Sequence, residues 1–385
     1  MDALMLPSNW QRVRLGDIAT FLKGKGLSKS QVSSNAKHEC ILYGELFTYY
    51  DRVITNIKNF TNIYNNPILS LSNDVLMSGS AETPDILATA SCILKEGVIL
   101  GGDILIIRPN SNLLSGCFLA YCIVCDKNQV LSKVVGSTVY HLYAKDLKDF
   151  EILLPPLNEQ IAIANILSDV DHYLYSLDAL ILKKESVKKA LSFELLSQRK
   201  RLKGFNQAWQ RVRLGDICEI VKGQQINKIS LNNTDKYPVI NGGIDFLGYT
   251  NKFNVSKNTI AISEGGTCGY VRFMKSDFWS GGHNYSLQKI SNKVNNLCLY
   301  HILKSYEKDI MKLGVGSGLK NIQLKALKDF EIPLPPLNEQ IAIANILSDV
   351  DSEIISLKNK KRQFENIKKA LNHDLMSAKI RVLKK

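Results

Sequence analysis

Three closely spaced cysteines are the residues of this chain whose type and spacing best suit metal chemistry. Cys122 and Cys125 form a C-x-x-C pair, and Cys117 lies shortly before them. Paired thiolates at this spacing bind zinc in many proteins. The corresponding residues 180 positions later include Leu297 and Ile302, which carry no metal-binding atom. We therefore interpret the cysteines as part of the buried face of a helix, and no metal site is expected.

Two further patterns resemble cofactor-binding or catalytic motifs without meeting their requirements. The segment GVGSG (314–318) follows a stretch that reads as helix, whereas a dinucleotide-binding loop follows a buried strand. Pro84-Asp85 and Asp146 resemble part of a nuclease carboxylate set, but Asp146 is replaced by Ala326 in the second half. The sequence thus predicts no catalytic, cofactor-binding or metal-binding residue and favours a binding protein over an enzyme.

What the chain does offer is a set of polar, aromatic and basic side chains, most of them in glycine-rich loops, in two separate regions. Glycine lets backbone approach another surface closely, and Lys, Arg, Asn, His and Tyr side chains can reach DNA phosphates and base edges. Ordinary surface loops have a similar composition, so mere solvent exposure is the alternative. The residues predicted to contact DNA are Lys23, Lys25, Tyr43, Ser80, Ser137, Tyr140, His141, Lys222, Gln224, Asn241, Tyr249, Lys252, Tyr270, Arg272, His283, Asn284, Ser317, Lys320 and Asn321.

Duplication organises the rest of the chain. The stretch LPPLNEQIAIANILSDVD stands at 154–171 and again at 334–351 without a single difference. A second block, WQRVRLGDI, occupies 10–18 and 209–217. Each half therefore begins with WQRVRLGDI, passes through a dissimilar middle and closes with the PPLNEQ block and a basic tail. The repeated unit has the size of a domain, unlike the period of about 20–50 residues of a solenoid.

Each PPLNEQ block opens a segment that reads as a long helix. The first copy has no Gly or further Pro before Gly204, which predicts a helix of about 45 residues. Apolar residues recur at heptad spacing, interrupted by Lys184, Lys188, Lys361 and Lys368. Two such helices most simply form an antiparallel coiled coil with a pseudo-twofold axis; the alternative is separate docking of each on its own domain. The predicted seam consists of Leu167, Val170, Leu174, Leu177, Ile181, Leu191, Leu347, Val350, Ile354, Leu357, Phe364 and Leu371.

Charge and length limit the function further. The 385 residues carry a formal net charge of +13, which suits a polyanionic partner. Residues 172–203 hold eight basic against three acidic residues, and residues 352–385 hold ten against three. These basic tails are expected to contact DNA or acidic partners, or simply to be solvated. No signal peptide or apolar run of about 20 residues is found, and the eight cysteines are irregularly spaced. A cytoplasmic location without membrane contact is expected.

Two dissimilar middles that alternate with near-identical segments ending in PLPPLNEQ-x-x-IA-x-IL resemble the specificity subunit of type I restriction–modification enzymes. The resemblance covers the whole chain, and YPVINGGIDFLGYTNKF (237–253) with TIAISEGGTCGYVRF (259–273) resembles a target recognition domain. It implies an α+β fold with two α/β-type recognition domains separated by two long antiparallel helices. The implied boundaries are 1–153 for the first recognition domain, 154–203 for the first long helix, 204–333 for the second recognition domain and 334–385 for the second long helix.

The same resemblance implies a function. Each recognition domain would read one half of a bipartite, asymmetric DNA target, and the helix pair would set the half-site spacing and dock two methyltransferase subunits. Restriction–translocase subunits would complete the assembly, with S-adenosylmethionine, ATP and Mg²⁺ bound by partners and no cofactor in this chain. The alternatives are the specificity subunit of a related two-component restriction system, a stand-alone DNA methyltransferase or nuclease, and a coiled-coil scaffold.

Overall fold

Both long helices pass from one unit of the chain to the other. The computed structural model describes residues 7–63 and 65–382. The first unit comprises the chain up to Asp178 and from Lys360 onward, and the second comprises Ala179–Asn359. Each unit therefore combines a globular part with the N-terminal portion of one long helix and the C-terminal portion of the other. The boundaries implied by the family resemblance concern functional segments and stay a prediction.

The first unit begins with the WQRVRLGDI block. Its strands are β1 (Gln11–Arg14), β2 (Ala19–Lys23), β3 (His38–Ile41), β4 (Val53–Ile54), β5 (Asn59–Thr61), β6 (Asp74–Ser78), β7 (Ser80–Ala81), β8 (Ser91–Ile93), β9 (Ile99–Leu100), β10 (Ile104–Pro109), β11 (Tyr140–His141) and β12 (Glu151–Leu154). Its short helices are α1 (Leu15–Ile18), α2 (Glu45–Thr48), α3 (Pro84–Leu87), α4 (Gly116–Cys125) and α5 (Lys127–Leu131), with 3₁₀ turns at Lys29–Gln31 and Ala144–Asp149. The long helix α6 (Leu157–Leu196) begins in this unit.

The second unit repeats this order with fewer strands. These are β13 (Gln210–Arg213), β14 (Glu219–Lys222), β15 (Tyr237–Ile240), β16 (Gly248–Thr250), β17 (Thr259–Ser263), β18 (Val271–Met274), β19 (Trp279–Ser280), β20 (Asn284–Gln288), β21 (Gly314–Val315), β22 (Asn321–Ile322) and β23 (Glu331–Leu334). The short helices are α7 (Leu214–Ile217), α8 (Asn296–Ser305), α9 (Glu307–Met311) and α10 (Leu324–Lys328), with a 3₁₀ turn at Lys228–Ser230. The long helix α11 (Leu337–Met376) begins in this unit.

A twisted sheet forms the core of each globular part. Its strand order is β2-β10-β6-β8-β4 in the first unit and β14-β20-β17-β18 in the second. Because strand side chains alternate between faces, Val75 and Met77 of β6 join the core that contains α4, whereas Leu76 packs in a separate core on the opposite face. Smaller three-stranded sheets, β5-β3-β9 and β16-β15-β19, flank them. The buried stretches DVLMS and TIAIS form β6 and β17 of the two main sheets.

The WQRVRLGDI and PPLNEQ blocks are neighbours in space. Strand β1 pairs antiparallel with β12 immediately before α6, so that Val13 lies opposite Ile152. Strand β13 pairs with β23 in the same way, with Val212 opposite Ile332. The repeated blocks therefore form the same two-stranded ribbon in both units, and each ribbon leads into a long helix.

Both long helices have 40 residues, fewer than the run without Gly or Pro predicts. The first ends at Leu196, after which Gln198 takes a left-handed conformation with φ of 61°. Ala378 does the same after the second helix, with φ of 59°. Left-handed residues are the common way to end a helix, although glycine is the usual choice. A search of the sequence for glycine therefore does not find these helix ends.

The helices pair antiparallel within each unit. In the first unit Asp171 contacts Lys368 and Asp178 contacts Lys361, so rising numbers on one helix meet falling numbers on the other. The second unit shows the same order for its share of both helices. The predicted seam residues are buried or half-buried along both helices, and the coiled coil rather than separate docking describes the helices.

The four lysines that interrupt the heptads are partners in ion pairs rather than defects of the seam. Lys188 pairs with Asp351 in the second unit, and the same pair recurs 180 residues on as Lys368 with Asp171. Lys184 pairs with Glu353 at 2.7 Å. The residues that correspond to this pair in the first unit are an aromatic contact between Tyr173 and Phe364, with ring centroids 4.5 Å apart. The two halves of the coiled coil thus share one ion pair and differ in another.

A buried glutamate ties the repeated blocks together. Glu339 is 1% exposed and accepts hydrogen bonds from Arg201 at 2.8 and 2.9 Å and from Trp209 Nε1 at 3.0 Å. In the first unit Glu159 accepts the corresponding bonds from Arg381 and Trp10. The tryptophan opens WQRVRLGDI, the glutamate belongs to PPLNEQ, and the arginine follows the C-terminal end of the other long helix. Each unit therefore requires one segment from each of the three repeated elements.

The neighbouring glutamine of PPLNEQ has an equally structural role. Gln160 is fully buried, donates to the carbonyls of Leu113 and Pro155, and accepts from the backbone N–H of Ser115. Ser115 in turn caps the N-terminus of helix α4. Gln340 makes the equivalent bonds around the cap of α8. The invariant glutamine therefore fixes each globular part against the start of its long helix.

Replacing Glu339 by alanine should lower the free energy of unfolding of the second unit by about 3 kcal/mol, because Arg201 would lose a buried partner. Urea unfolding followed by tryptophan fluorescence and circular dichroism measures this change. The matched control is Glu219→Ala, which removes an exposed ion pair with Lys289 and should leave the unfolding midpoint unchanged. Equal effects of the two substitutions would contradict the structural role of the buried pair.

Candidate nucleic-acid interface

A Lys-Gly pair ends the first strand of each main sheet. Lys23 is the last residue of β2 and Gly24 follows it, and Lys222 and Gly223 stand 199 positions later at the end of β14. A Cβ atom on either glycine would lie 2.0 or 2.1 Å from a carbonyl oxygen of the opposing backbone. The glycine therefore allows two chain segments to meet closely, and the lysine is held at that meeting point.

The opposing segment is itself a repeated pair of glycines. Gly101-Gly102 precedes β10 and Gly281-Gly282 precedes β20, at the offset of 180 that relates the PPLNEQ blocks. A hairpin closes the same region in both units, where Val135 bridges to His141 in the first unit and where β21 pairs with β22 in the second. Gly136 and Gly316, in the hairpin loops, have φ of 121° and 136°. Both units thus present the same backbone frame, although the middles share little sequence.

The first unit places an unpredicted carboxylate at the centre of this frame. Asp103 Oδ1 lies 2.8 Å from Lys23 Nζ, and Asp103 Oδ2 accepts a hydrogen bond from Ser80 Oγ at 3.1 Å. The hydrogen bond with Lys23 lowers the pKa of Asp103, aided by Ser80 and by the nearby His141. The structure therefore gathers three predicted residues, Lys23, Ser80 and His141, around one that sequence analysis missed. The repeated Gly-Gly pair before Asp103 is the signal that could have found it.

The second unit has a comparable centre with a different carboxylate. Lys222 Nζ lies 2.7 Å from Glu264 Oε1, and the Tyr285 hydroxyl donates to the same oxygen at 3.1 Å. Burial, together with the charge of Glu264, raises the pKa of Tyr285 to about 12. Asn241 accepts the backbone N–H of His283 at 3.1 Å, which holds the two predicted residues together. Glu264 also escaped the sequence analysis, although it lies within the SEGG loop that was singled out.

A second group of predicted residues surrounds Arg272. Its guanidinium lies 5.0 Å from the ring centre of Phe246 and 5.4 Å from that of Tyr270, and it donates to the carbonyl of Ile244. Phe246 in turn contacts Tyr249, with ring centroids 6.0 Å apart. Arg272, in strand β18, is therefore held by the loop between β15 and β16, and its remaining donors and the aromatic edges form a polar and aromatic surface.

The other predicted contact residues differ in accessibility. Ser80 and Asn284 are buried, at 8% and 1% exposure, which disfavours the predicted contact of their side chains with DNA. The half-buried residues are Tyr140, His141, Asn241, Tyr249, Tyr270 and Arg272. The exposed residues are Lys23, Lys25, Tyr43, Ser137, Lys222, Gln224, Lys252, His283, Ser317, Lys320 and Asn321.

The three cysteines were predicted on the buried face of a helix, and this is correct for Cys122 but wrong for Cys125, which is exposed, while Cys117 is half-buried. Cys122 is buried in α4, and its Sγ lies 3.8 Å from Met376 Sδ. Burial raises the pKa of Cys122. Over residues 7–63 and 65–382, no group of three or more His, Cys, Asp and Glu side chains could hold a metal ion. No helix in the described part of the chain is long and apolar enough to span a membrane.

Comparison with protein families gives a match across most of the chain. The sequence model of the type I restriction modification DNA specificity domain matches residues 7–184 and again residues 206–366. The two matches correspond to the two copies of the repeated unit.

Curated relatives agree with this match. The type I restriction enzyme MjaVIII specificity subunit of Methanocaldococcus jannaschii is 26% identical over 99% of this chain and 95% of its own length. The putative MjaX specificity subunit of the same organism is 31% identical over 74% of this chain and 73% of its own length. A putative type I specificity subunit of Mycoplasma pneumoniae is 40% identical over 39% of this chain and 40% of its own length.

The fold is also found among solved structures. The crystal structure of the type I restriction-modification S subunit from Mycoplasma genitalium has a TM-score of 0.74 and 20% identity, over 97% of this chain and 98% of that chain. A chain from a study of complex assembly in a type I R-M system has a TM-score of 0.52 and 18% identity, over 98% and 100%. At this identity the likeness concerns the fold, and it confirms the predicted α+β architecture.

The frame at Gly24 offers a direct test of the close approach. Gly24→Ala should lower the free energy of unfolding by about 2 kcal/mol, because its Cβ would overlap the backbone at Gly101. Gly26→Ala, two residues further on, is the matched control, since no atom lies within 4 Å of a Cβ there. Urea unfolding of both variants measures the difference. A tolerated Gly24→Ala would show that the two segments do not meet as described.

Proposed function

Because the chain belongs to the family of type I restriction–modification DNA specificity subunits, we propose that it reads a bipartite, asymmetric DNA target with one half-site for each unit. The observation that carries this proposal is the repeated frame with unlike side chains. Both units present a lysine between a Gly-Gly segment and a hairpin, but different loops and different carboxylates surround it. One backbone frame with two sets of side chains suits two different half-sites.

Contacts to DNA divide into two kinds in this proposal. Exposed lysines such as Lys25 and Lys320 hold phosphates and position each unit, independently of sequence. Side chains of the loops, such as His283 and Asn321, reach base edges in the major groove, where each base pair presents its own pattern of donors and acceptors. The basic stretches 172–203 and 352–385, which lie largely within the long helices, add phosphate contacts or bind acidic partner surfaces.

The repeated blocks provide the same docking surface twice, and we assign one methyltransferase subunit to each. Ile161 and Ile341 support this assignment, since these equivalent residues of the two long helices remain 46% and 40% exposed. Exposed apolar residues repeated at equivalent positions suit two copies of one partner. Restriction–translocase subunits join that core. The partners bind S-adenosylmethionine, ATP and Mg²⁺, and this chain supplies recognition without catalysis.

The helix pair sets the spacing between half-sites in this proposal. Forty residues at 1.5 Å per residue give each helix a length of about 60 Å. The ion pairs along the seam fix the register of one helix against the other. A fixed register matters because DNA rotates with every base pair, so that a change of spacing also turns one half-site away from its reader.

A related two-component restriction system is the second candidate, since its specificity subunit would need the same two readers and the same spacer. Co-purification separates the two candidates by identifying the bound methyltransferase and nuclease. The direct test of the proposed function is reconstitution of this chain with a type I methyltransferase subunit. Adenine methylation mapped by single-molecule sequencing should appear at one bipartite motif only when both components are present. Methylation by this chain alone would instead identify a stand-alone enzyme.

A heptad inserted into both long helices should change the spacer of the recognised motif and leave both half-site sequences intact, because it adds roughly 10 Å of helix, the length of about three base pairs. The insertions belong after Asp178 and after Asn359, copying residues 179–185 and 353–359, so that the added segments pair with each other and each unit keeps its own contacts. Motif mapping of the reconstituted variant measures the spacer. An insertion into one helix only is the control and should abolish assembly. An unchanged spacer in the double insertion would refute the proposed role of the helices.

A further inference from the structure

We propose that Asp103 and His283 are equivalent specificity-determining residues, through which the first unit reads a base amino group and the second unit reads a base acceptor. The inference rests on the proposed function and adds to it the position and the hydrogen-bond class of one base contact in each half-site.

The backbone establishes that the two residues are equivalent. Each follows a Gly-Gly pair and immediately precedes a central strand, β10 or β20, and the two stand 180 positions apart. The carbonyl of Asp103 accepts the backbone N–H of Gly79 at 2.6 Å. The carbonyl of His283 accepts the N–H of Glu264 at 2.9 Å. Gly79 and Glu264 each follow the neighbouring strand of the sheet, β6 or β17, so the two sites have the same hydrogen-bond pattern.

The side chains around this position show a compensated exchange. Lys23 and Lys222 are also equivalent, and each is paired with a carboxylate. The carboxylate is Asp103 itself in the first unit, whereas it is Glu264 in the second unit, where His283 takes the place of Asp103. The lysine is thus neutralised in both units, while the residue after Gly-Gly changes its chemistry. Because Glu264 neutralises Lys222 in the second unit, the residue after Gly-Gly need not carry a negative charge there. It can therefore recognise a different chemical group.

Asp103 has the properties of a reader of amino groups. Its side chain is 44% exposed, and each carboxylate oxygen bonds one protein donor, which leaves further lone pairs for a ligand. An ionised carboxylate only accepts hydrogen bonds, and the pairing with Lys23 lowers the pKa of Asp103 and offsets repulsion from phosphates. In the major groove the base donors are the amino groups of cytosine and adenine. The first half-site should therefore carry one of these bases at the contacted position.

His283 has a different hydrogen-bonding capacity. Its side chain is exposed, while its backbone N–H is held by Asn241 Oδ1. A ring N–H of histidine can donate to the N7 or O6 acceptors of guanine, which a carboxylate cannot do. The two units therefore read opposite hydrogen-bond classes from the same backbone position, which contributes to the asymmetry of the target.

The test compares motifs methylated by complexes reconstituted with Asp103→Asn, His283→Asp and the unmodified chain. An amide both donates and accepts, so Asp103→Asn should reduce discrimination at one base of one half-site by about tenfold and leave the other half-site unchanged. His283→Asp should move the preference of the other half-site toward cytosine or adenine at one position. Glu39→Gln is the matched control, since it removes a Lys-carboxylate pair elsewhere in the first unit, and it should leave the motif unchanged.

The outcomes separate this inference from the proposed function. No bipartite motif with the unmodified chain would refute the proposed function itself. An intact motif with full discrimination in either Asp103→Asn or His283→Asp would overturn the inference alone. Changes in both half-sites from one substitution would overturn it as well, because each residue should act within its own unit. If Asp103→Asn fails to assemble, His283→Asp decides the question in the other unit.

Discussion

The buried carboxylate of the PPLNEQ block is the interaction on which the rest of the structure depends. Glu159 and Glu339 are almost fully buried, and a buried charge is tolerated only where it is paired and hydrogen-bonded. The partners are a tryptophan from the start of the same repeat and an arginine from the end of the other long helix. This requirement places the residue that follows the end of one long helix against the start of the other long helix. It also explains why three separated sequence blocks are repeated together.

The coiled coil shows how a duplicated helix can pair with its own copy and yet remain specific. The pair between Lys188 and Asp351 recurs as Lys368 with Asp171, so it is satisfied equally in both units. Other seam positions have diverged, as where the ion pair of Lys184 corresponds to a contact between two tilted aromatic rings. Positions common to both copies maintain the register, while the diverged positions distinguish one helix from the other.

The proposed DNA-contact surface likewise combines a backbone arrangement common to both units with side chains that differ between them. Glycines at Gly24 and Gly223 are required by backbone approach, and this approach places one lysine in each unit. The carboxylate that neutralises the lysine comes from the segment before β10 in the first unit and from the loop after β17 in the second. Because the frame is made by backbone, the side chains upon it can change without loss of the fold. A protein that must read two unlike half-sites needs this independence.

The sequence by itself determined the duplication, the heptad seam, the main strands and the family, because identity, period and burial pattern are local properties of the chain. It did not determine the helix ends, because the left-handed residues there are Gln198 and Ala378. Glycine at these positions would have indicated the helix ends in the sequence. The sequence did not place Asp103 beside Lys23 or Glu264 beside Lys222, and it did not show that Ser80 and Asn284 are buried, because contacts and burial depend on the packing of remote strands. Only the tertiary structure decided that Arg381 belongs with Glu159 and Arg201 with Glu339, because partners 222 and 138 residues apart leave no trace in local pattern.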